Sequence, residues 1–138
     1  MAENRIGYLI KGVQQAIRRS MDDELRPLNL STSQYSTLSA LEHSEQLSNA
    51  ELARACFVTP QTMIQLIKTL ERQGWVARQP HPEHGRIIQT QLTDSGRTLL
   101  RQAHELVNNI EGRMLSGLSE AEQAQLAQAL RQCERSLR

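Results

Sequence analysis

Two helix-start signals lie close together near the middle of the chain. Ser48 opens a capping box, in which it exchanges hydrogen bonds with the glutamate three residues later. Thr59 is a favoured N-cap, and Pro60 suits the first helical position because no backbone donor is needed there. The pattern predicts a short helix over 48–56 and a longer one over 59–73, joined by Phe57 and Val58.

A pair of strand-like segments follows these helices directly. Gly74 ends the second helix, and the segments 75–79 and 86–92 alternate or run apolar as strands do. The intervening "PHPEHG" is predicted to be a loop, because it contains two prolines and a glycine. A capped helix pair followed at once by a two-stranded hairpin indicates a winged helix-turn-helix.

Long amphipathic helices are predicted on both sides of this unit. The first spans 5–26 and ends before Pro27, and Ser31 starts a second helix. Thr93 caps a fifth helix that reaches about Leu115, and a capping box at Ser119 opens the last. The 138 residues therefore form a single, mainly α domain with a small β-hairpin wing.

Charge is unevenly distributed in a chain whose net charge is only +1. Seven basic and three acidic residues lie between Arg54 and Arg101, so this segment carries +4 and the remainder −3. A localised basic segment is typical of a nucleic-acid face, although it is also compatible with an ordinary solvated surface. Apolar runs fall short of the roughly 20 residues of a membrane span, and the charged N-terminus does not resemble a signal peptide. We expect a cytoplasmic protein without a membrane role.

The helix predicted over 60–73 has two distinct faces. At about 100° per residue, Met63, Leu66, Ile67 and Leu70 share one side. The opposite side carries only polar and basic residues, with base-reading amides and hydroxyls in the first turns and cations towards the end. With the loop and strand residues, the predicted DNA contacts are Thr59, Pro60, Gln61, Thr62, Gln65, Lys68, Arg72, Arg78, His84 and Arg86.

Residues 47–97 closely resemble the core of the MarR family of bacterial transcription regulators. The family shows "Leu-Glu-x-x-Gly-hydrophobic-Val-x-Arg", then a wing rich in Asp and Arg, then "Leu-Thr-x-x-Gly". Here the first motif runs from Leu70 to Arg78 and the last from Leu92 to Gly96. The flanking helices match in order and length.

The resemblance implies a homodimer in which the first and the last two helices interlock. Residues 1–30 and 98–138 would be dimerisation helices, and 31–97 would be the DNA-binding lobe, which reads half of a palindromic operator. The apolar stripes agree with this, and the predicted dimer contacts are Ile6, Leu9, Ile10, Val13, Leu126 and Leu130. The resemblance also implies a repressor released by a small aromatic or phenolic effector, bound between the dimer helices and the winged lobe.

The wing departs from the family pattern at its tip. His84 stands where relatives carry an aspartate that orients the minor-groove arginine, here Arg86. Either Glu83 takes over that orienting role or Arg86 is less fixed, and His84 either tunes binding with pH or only fills the turn. His81, Glu83 and His84 are metal-ligand types, but a short loop with no cysteine and no fourth ligand nearby does not predict a metal site.

The two cysteines, Cys56 and Cys133, are candidates for other chemistry. Cys56 lies at the turn into the reading helix, where Arg54 and the helix N-terminus could lower the thiol pKa and permit redox sensing; the alternative is a small buried residue. Cys133 is expected in the core or at the dimer contact. A set of nucleophile, base and orienting residue is not legible, so we expect no enzyme and no cofactor. The alternatives to a DNA-reading regulator are a redox sensor and a winged protein-interaction module.

Overall fold

The computed structural model describes residues 5–44 and 47–138 and contains the predicted succession of helices with a hairpin between the fourth and fifth. A single 3₁₀ turn, Arg26–Leu28, separates the first two helices. The elements are α1 (Ile6–Leu25), α2 (Thr32–His43), α3 (Asn49–Ala55), α4 (Pro60–Arg72), β1 (Val76–Pro80), β2 (Ile88–Leu92), α5 (Asp94–Met114) and α6 (Glu120–Ser136).

The five helix starts predicted from capping residues are confirmed, and these five have the same physical cause. A hydroxyl accepts a hydrogen bond from the backbone amide three residues later, at 3.0–3.2 Å, which satisfies a donor that the helix itself leaves free. The capping residues are Ser31, Ser48, Thr59, Thr93 and Ser119.

The hydrophobic core lies mainly in the segment from α2 to β2. Its fully buried large side chains are Leu25, Leu38, Leu41, Leu52, Met63, Leu70 and Leu100. Only Leu25 comes from α1 and only Leu100 from α5, and both pack where these long helices meet the central unit. We call residues 31–97 the winged lobe, and α1, the C-terminal half of α5 and α6 the arms.

The two glycine motifs of the sequence join the end of α4 to the start of α5. Gly74 has a left-handed backbone (φ 78°), and the following Trp75 amide returns to the Leu70 carbonyl at 3.0 Å, which closes α4. Thr93 then donates its hydroxyl to the Gly74 carbonyl at 2.6 Å. A Cβ at Gly96 would collide with the Trp75 carbonyl oxygen, so only glycine permits this close approach.

The first strand lies one residue further along the chain than predicted, and the second begins at Ile88, two residues later than predicted. The strands are antiparallel, with Val76 opposite Leu92 at the base and Pro80 opposite Ile88 at the far end. The assignment of Pro80 to the loop was wrong, because a proline at the end of a strand has no ladder amide to lose. Arg86, which we had placed in the second strand, lies in the loop.

The arms expose apolar surface along much of their length. Ile6, Leu9, Ile10 and Val13 are exposed on α1, and α6 contributes no buried residue. Cys133 is exposed, which excludes the core and leaves the dimer contact as the predicted place; it lies on α6 with Leu126 and Leu130. In the described part of the chain, the helices are too short or too polar to cross a membrane.

Candidate nucleic-acid interface

All ten residues predicted to contact DNA are exposed. On α4, Met63, Ile67 and Leu70 are buried against the core, which turns the polar side outwards. The exposed side carries Gln61, Gln65, Lys68 and Arg72 in line, without an acidic residue among them. An amphipathic helix fixed in this way presents one polar stripe of the width and chemistry that a major groove accepts.

The first turn of α4 is held before any ligand arrives. The Thr59 hydroxyl accepts from the Thr62 amide at 3.1 Å and donates to the Thr62 hydroxyl at 3.0 Å. On the neighbouring helix, the Asn49 side-chain amide donates to the Pro60 carbonyl at 3.1 Å. The Thr59 hydroxyl is therefore engaged in capping α4. Gln61 and Gln65 are longer polar side chains, and they project from the first turns of this capped helix.

The wing tip is organised by His81, a role that the sequence did not reveal. Its Nδ1 accepts hydrogen bonds from the backbone amides of Glu83 and His84, at 3.0 and 3.2 Å. The His81 amide donates to the Ile87 carbonyl at 2.7 Å, and the Ile87 amide donates to the His84 carbonyl at 2.9 Å. The ring acts as asparagine does in a turn, by accepting amides two and three residues later. The position of His81 two residues before Glu83 and three before His84 was the only feature of the sequence that could have indicated this role.

Arg86 occupies the middle of the turn formed by His84 to Ile87, where its side chain is exposed. Within the described residues it forms no ion pair with Glu83, which favours the alternative of a less fixed Arg86. The His84 ring lies 5.2 Å from the His81 ring, centroid to centroid. The wing therefore presents its arginine on a loop whose shape is set by backbone bonds to His81.

Cys56 lies in an environment that does not activate its thiol. It is half-buried at the end of α3, where its thiol points at the Thr37 hydroxyl at 4.0 Å. Burial raises the pKa of the Cys56 thiol, which favours the alternative of a small buried residue over a thiol activated by Arg54 and a helix N-terminus. A raised pKa keeps the thiol protonated and works against redox chemistry at this position.

A polar network links the winged lobe to α5. The Tyr35 hydroxyl and His104 Nδ1 are 2.7 Å apart, and His104 Nε2 lies 2.9 Å from a carboxylate oxygen of Glu42. Burial, with a smaller contribution from the negative charge of Glu42, raises the pKa of Tyr35. The phenol therefore stays protonated and bridges α2 to α5. His104 lies 69 positions after Tyr35 and 62 after Glu42, and the sequence gave no signal of this junction.

Comparisons with known proteins agree with this architecture. The model of the MarR family matches residues 28–87. The HTH-type transcriptional repressor Rv2887 of Mycobacterium tuberculosis is 35% identical over 125 residues, which are 91% of this chain and 90% of the relative.

Two solved structures are similar over nearly the whole chain. A cysteine-to-serine mutant of MarR from E. coli, complexed with operator DNA, has a TM-score of 0.84 and 26% identity, over 93% of this chain and 92% of that one. Rv2887 in complex with salicylic acid has a TM-score of 0.77 and 34% identity, over 94% and 96%. The sequence motifs, the fold and these relatives together show that the chain belongs to the MarR family.

Proposed function

We propose that this protein is a sequence-specific DNA-binding transcription regulator that represses its target genes in the cytoplasm. The observation that carries the proposal is the exposed polar and basic side of α4, held by a capped first turn beside a wing that presents Arg86. Its relatives include a named repressor and a MarR structure with operator DNA.

The reading would divide between two grooves. The amides of Gln61 and Gln65 suit the paired donor and acceptor of adenine in the major groove. Lys68, Arg72 and Arg78 suit phosphates, which position the helix without carrying sequence information. Arg86 suits a narrow A·T-rich minor groove, where the negative potential is enhanced, and His84 lies beside it.

Two copies of the chain would form the working unit. The apolar faces of α1 and α6, with Ile6, Leu9, Leu126 and Leu130, are exposed in a single chain. Burying them against a second copy removes this surface from water and places two reading helices about a symmetry axis. The half-sites of the operator would then be palindromic and roughly 10 bp apart.

An effector of the aromatic-acid class would act on the arms, and not between the dimer helices and the winged lobe as the resemblance implies. A groove of about 350 Å³ lies between α1 and α5, with apolar walls from Val13, Ile17, Ile110 and Met114. Arg113 stands at its edge and pairs with Glu24 at 3.2 Å. An aromatic carboxylate could fill the apolar part and bind the guanidinium in place of Glu24. Binding would then shift the arms and change the spacing of the two α4 helices.

The DNA-reading proposal is tested with duplexes selected in vitro by the wild-type protein. Gln65→Ala should lose about 1–3 kcal/mol of discrimination at one base position, because a bidentate contact is removed. Arg86→Ala should weaken binding to A·T-flanked sites and reduce the salt slope by about one. The controls Gln102→Ala and Arg131→Ala change the same residue types on exposed surfaces of α5 and α6.

Fluorescence anisotropy at several salt concentrations gives both quantities. If the wild type selects no preferred duplex, or if Gln65→Ala and Arg86→Ala bind as their controls do, the DNA-reading proposal is wrong. In that case a winged module that binds a protein partner becomes the better account.

The effector site is tested by calorimetry with salicylate as the probe. Wild type should bind it, and Arg113→Gln should bind it at least about tenfold more weakly, because a charge-assisted bond is lost. Arg101→Gln, another exposed arginine of α5, is the control. Equal affinity of wild type and Arg113→Gln would remove this site.

A further inference from the structure

A cleft of about 190 Å³ separates α4 from the wing. One wall of the cleft is a face of the hairpin. Side chains alternate between the two faces of a strand, so Val76, Arg78 and Pro80 share this face with their partners on β2. The base of this face is buried in the core. Further out it parts from α4 and becomes one wall of the cleft, which is lined by Asn49, Ile64, Ile67, Arg78, Ile88 and Thr90.

The lining combines exposed apolar surface with a positive charge. Ile64 on α4 is 42% exposed, and Ile88 on β2 is 40% exposed. Arg78, between them, makes no ion pair or side-chain hydrogen bond within the described residues. The walls carry no acidic side chain. Apolar carbons around an unpaired guanidinium are complementary to a sugar-phosphate backbone, in which deoxyribose rings alternate with phosphates.

The position of the cleft fits the same partner. The proposed function places α4 in a major groove and the wing tip in the adjacent minor groove. One sugar-phosphate strand always separates two adjacent grooves, so this strand has to cross the surface between α4 and the wing. The cleft is the concave part of that surface.

We propose that the cleft between α4 and the wing seats the DNA strand that separates the two grooves. Arg78 binds a phosphate of this strand, and Ile64 and Ile88 pack against its deoxyribose rings. The inference rests on the proposed function and adds to it two apolar residues that position the reading helix. Because every duplex has this backbone, the contact contributes equally to all sequences and carries no base preference.

The charged part is tested with methylphosphonates, which neutralise one phosphate at a time in the duplex selected by wild type. The affinity of wild type should fall about fivefold or more when one or two particular neighbouring phosphates are neutralised. These phosphates belong to the strand between the major groove that holds α4 and the minor groove under the wing. Arg78→Gln should lose less than about twofold at the same phosphates, since its partner charge is already absent. Arg86→Gln should keep the wild-type pattern there. If Arg78→Gln is as sensitive as wild type at every phosphate, Arg78 does not bind this strand.

The apolar part is tested by truncation. Ile64→Ala and Ile88→Ala should each weaken binding to the selected duplex and to a scrambled duplex by the same factor, about threefold to tenfold, with an unchanged salt slope. Ile87→Ala is the matched control, because Ile87 is 46% exposed on the same hairpin and does not line the cleft. Thermal melting of each variant checks the fold.

The outcomes separate the two proposals. If Ile64→Ala and Ile88→Ala bind as Ile87→Ala does, while Gln65→Ala still loses base discrimination, the backbone cleft is wrong and DNA reading stands. If losses at Ile88→Ala differ between selected and scrambled duplexes, the residue contacts a base and the assignment to the backbone is overturned. A wild type without any preferred duplex would contradict the proposed function itself.

Discussion

The winged lobe and the arms differ in how far their apolar side chains are buried. In the lobe, each element buries a defined face, and α4 places Met63, Ile67 and Leu70 in the core while turning its polar side outwards. On α6 no residue is buried, and Leu126 and Leu130 remain exposed. The α1 helix combines the two, since Met21 and Leu25 are buried near the lobe and its N-terminal half is exposed.

The difference separates what one chain can complete from what requires a second. The lobe has its caps, its core and its glycine contacts within one chain, so its surface is available for a ligand of another kind. In the described part of the chain, the N-terminal half of α1 and the whole of α6 carry exposed apolar side chains, which is typical of an interface between subunits. Substitutions in the two regions should therefore affect different measurements.

The largest effect is expected from a charge on the apolar face of α6. Leu130→Glu should abolish dimer formation, because a carboxylate would be buried without a partner. Affinity for a full palindrome should fall by about 100-fold or more, since the two lobes no longer bind together. Sedimentation and anisotropy measure both, with Gln128→Glu on the polar side of α6 as control. A Leu130→Glu protein that remains dimeric would contradict the assignment of the apolar face of α6 to the dimer interface.

A large loss of stability is expected where the start of α5 contacts the segment between α4 and β1. Gly96→Ala should destabilise the fold by about 2–4 kcal/mol, because the methyl group would overlap the Trp75 carbonyl and one backbone would have to move. Gly112→Ala, on the same helix in open space, should be neutral or stabilising by up to about 1 kcal/mol. Urea unfolding compares the two variants, and equal stability would show that the close approach is not rigid.

A gain in stability is expected at the turn between α3 and α4. Phe57 is 91% exposed and has φ 58°, a left-handed backbone that an aromatic residue adopts at a cost. Phe57→Gly should therefore stabilise the lobe by about 1 kcal/mol. Phe57→Ala keeps the strain and should give no comparable gain. If alanine stabilises as much as glycine, the strain at this turn is not the cause.

The smallest effect is expected where an arm meets the lobe. Asp22 of α1 accepts hydrogen bonds from the hydroxyl and the amide of Thr32, and these bonds lower the pKa of its carboxyl group. A lowered pKa in the folded state gives stability that is present above the unfolded pKa and lost as the pH falls through the folded one.

The stability difference between wild type and Asp22→Ala should thus be constant from pH 7 to about 5 and shrink below about pH 4. In the Thr32→Val background, Asp22→Ala should have a smaller effect. A difference that does not change with pH would show that the carboxylate contributes through packing alone.

The sequence predicted the local features and missed those that depend on the third dimension. Capping residues such as Ser48 and Thr59 act on their own neighbours, so their signals are legible in a short stretch. The bridge from Tyr35 to His104 joins residues 69 positions apart, and no local pattern marks it. Cys56 shows a related limit, because Arg54 is visible beside it in the sequence, whereas the burial that raises the pKa of its thiol depends on the fold.

The central claim is that one chain completes the reading lobe and two chains complete the regulator. Its most direct test is the mass in solution, alone and with a selected palindromic duplex, by analytical ultracentrifugation. The account predicts about 31 kDa for the free protein, twice the 15.6 kDa of one chain, and two chains on each duplex. A free protein of 15.6 kDa that binds an isolated half-site as tightly as the full palindrome would contradict it.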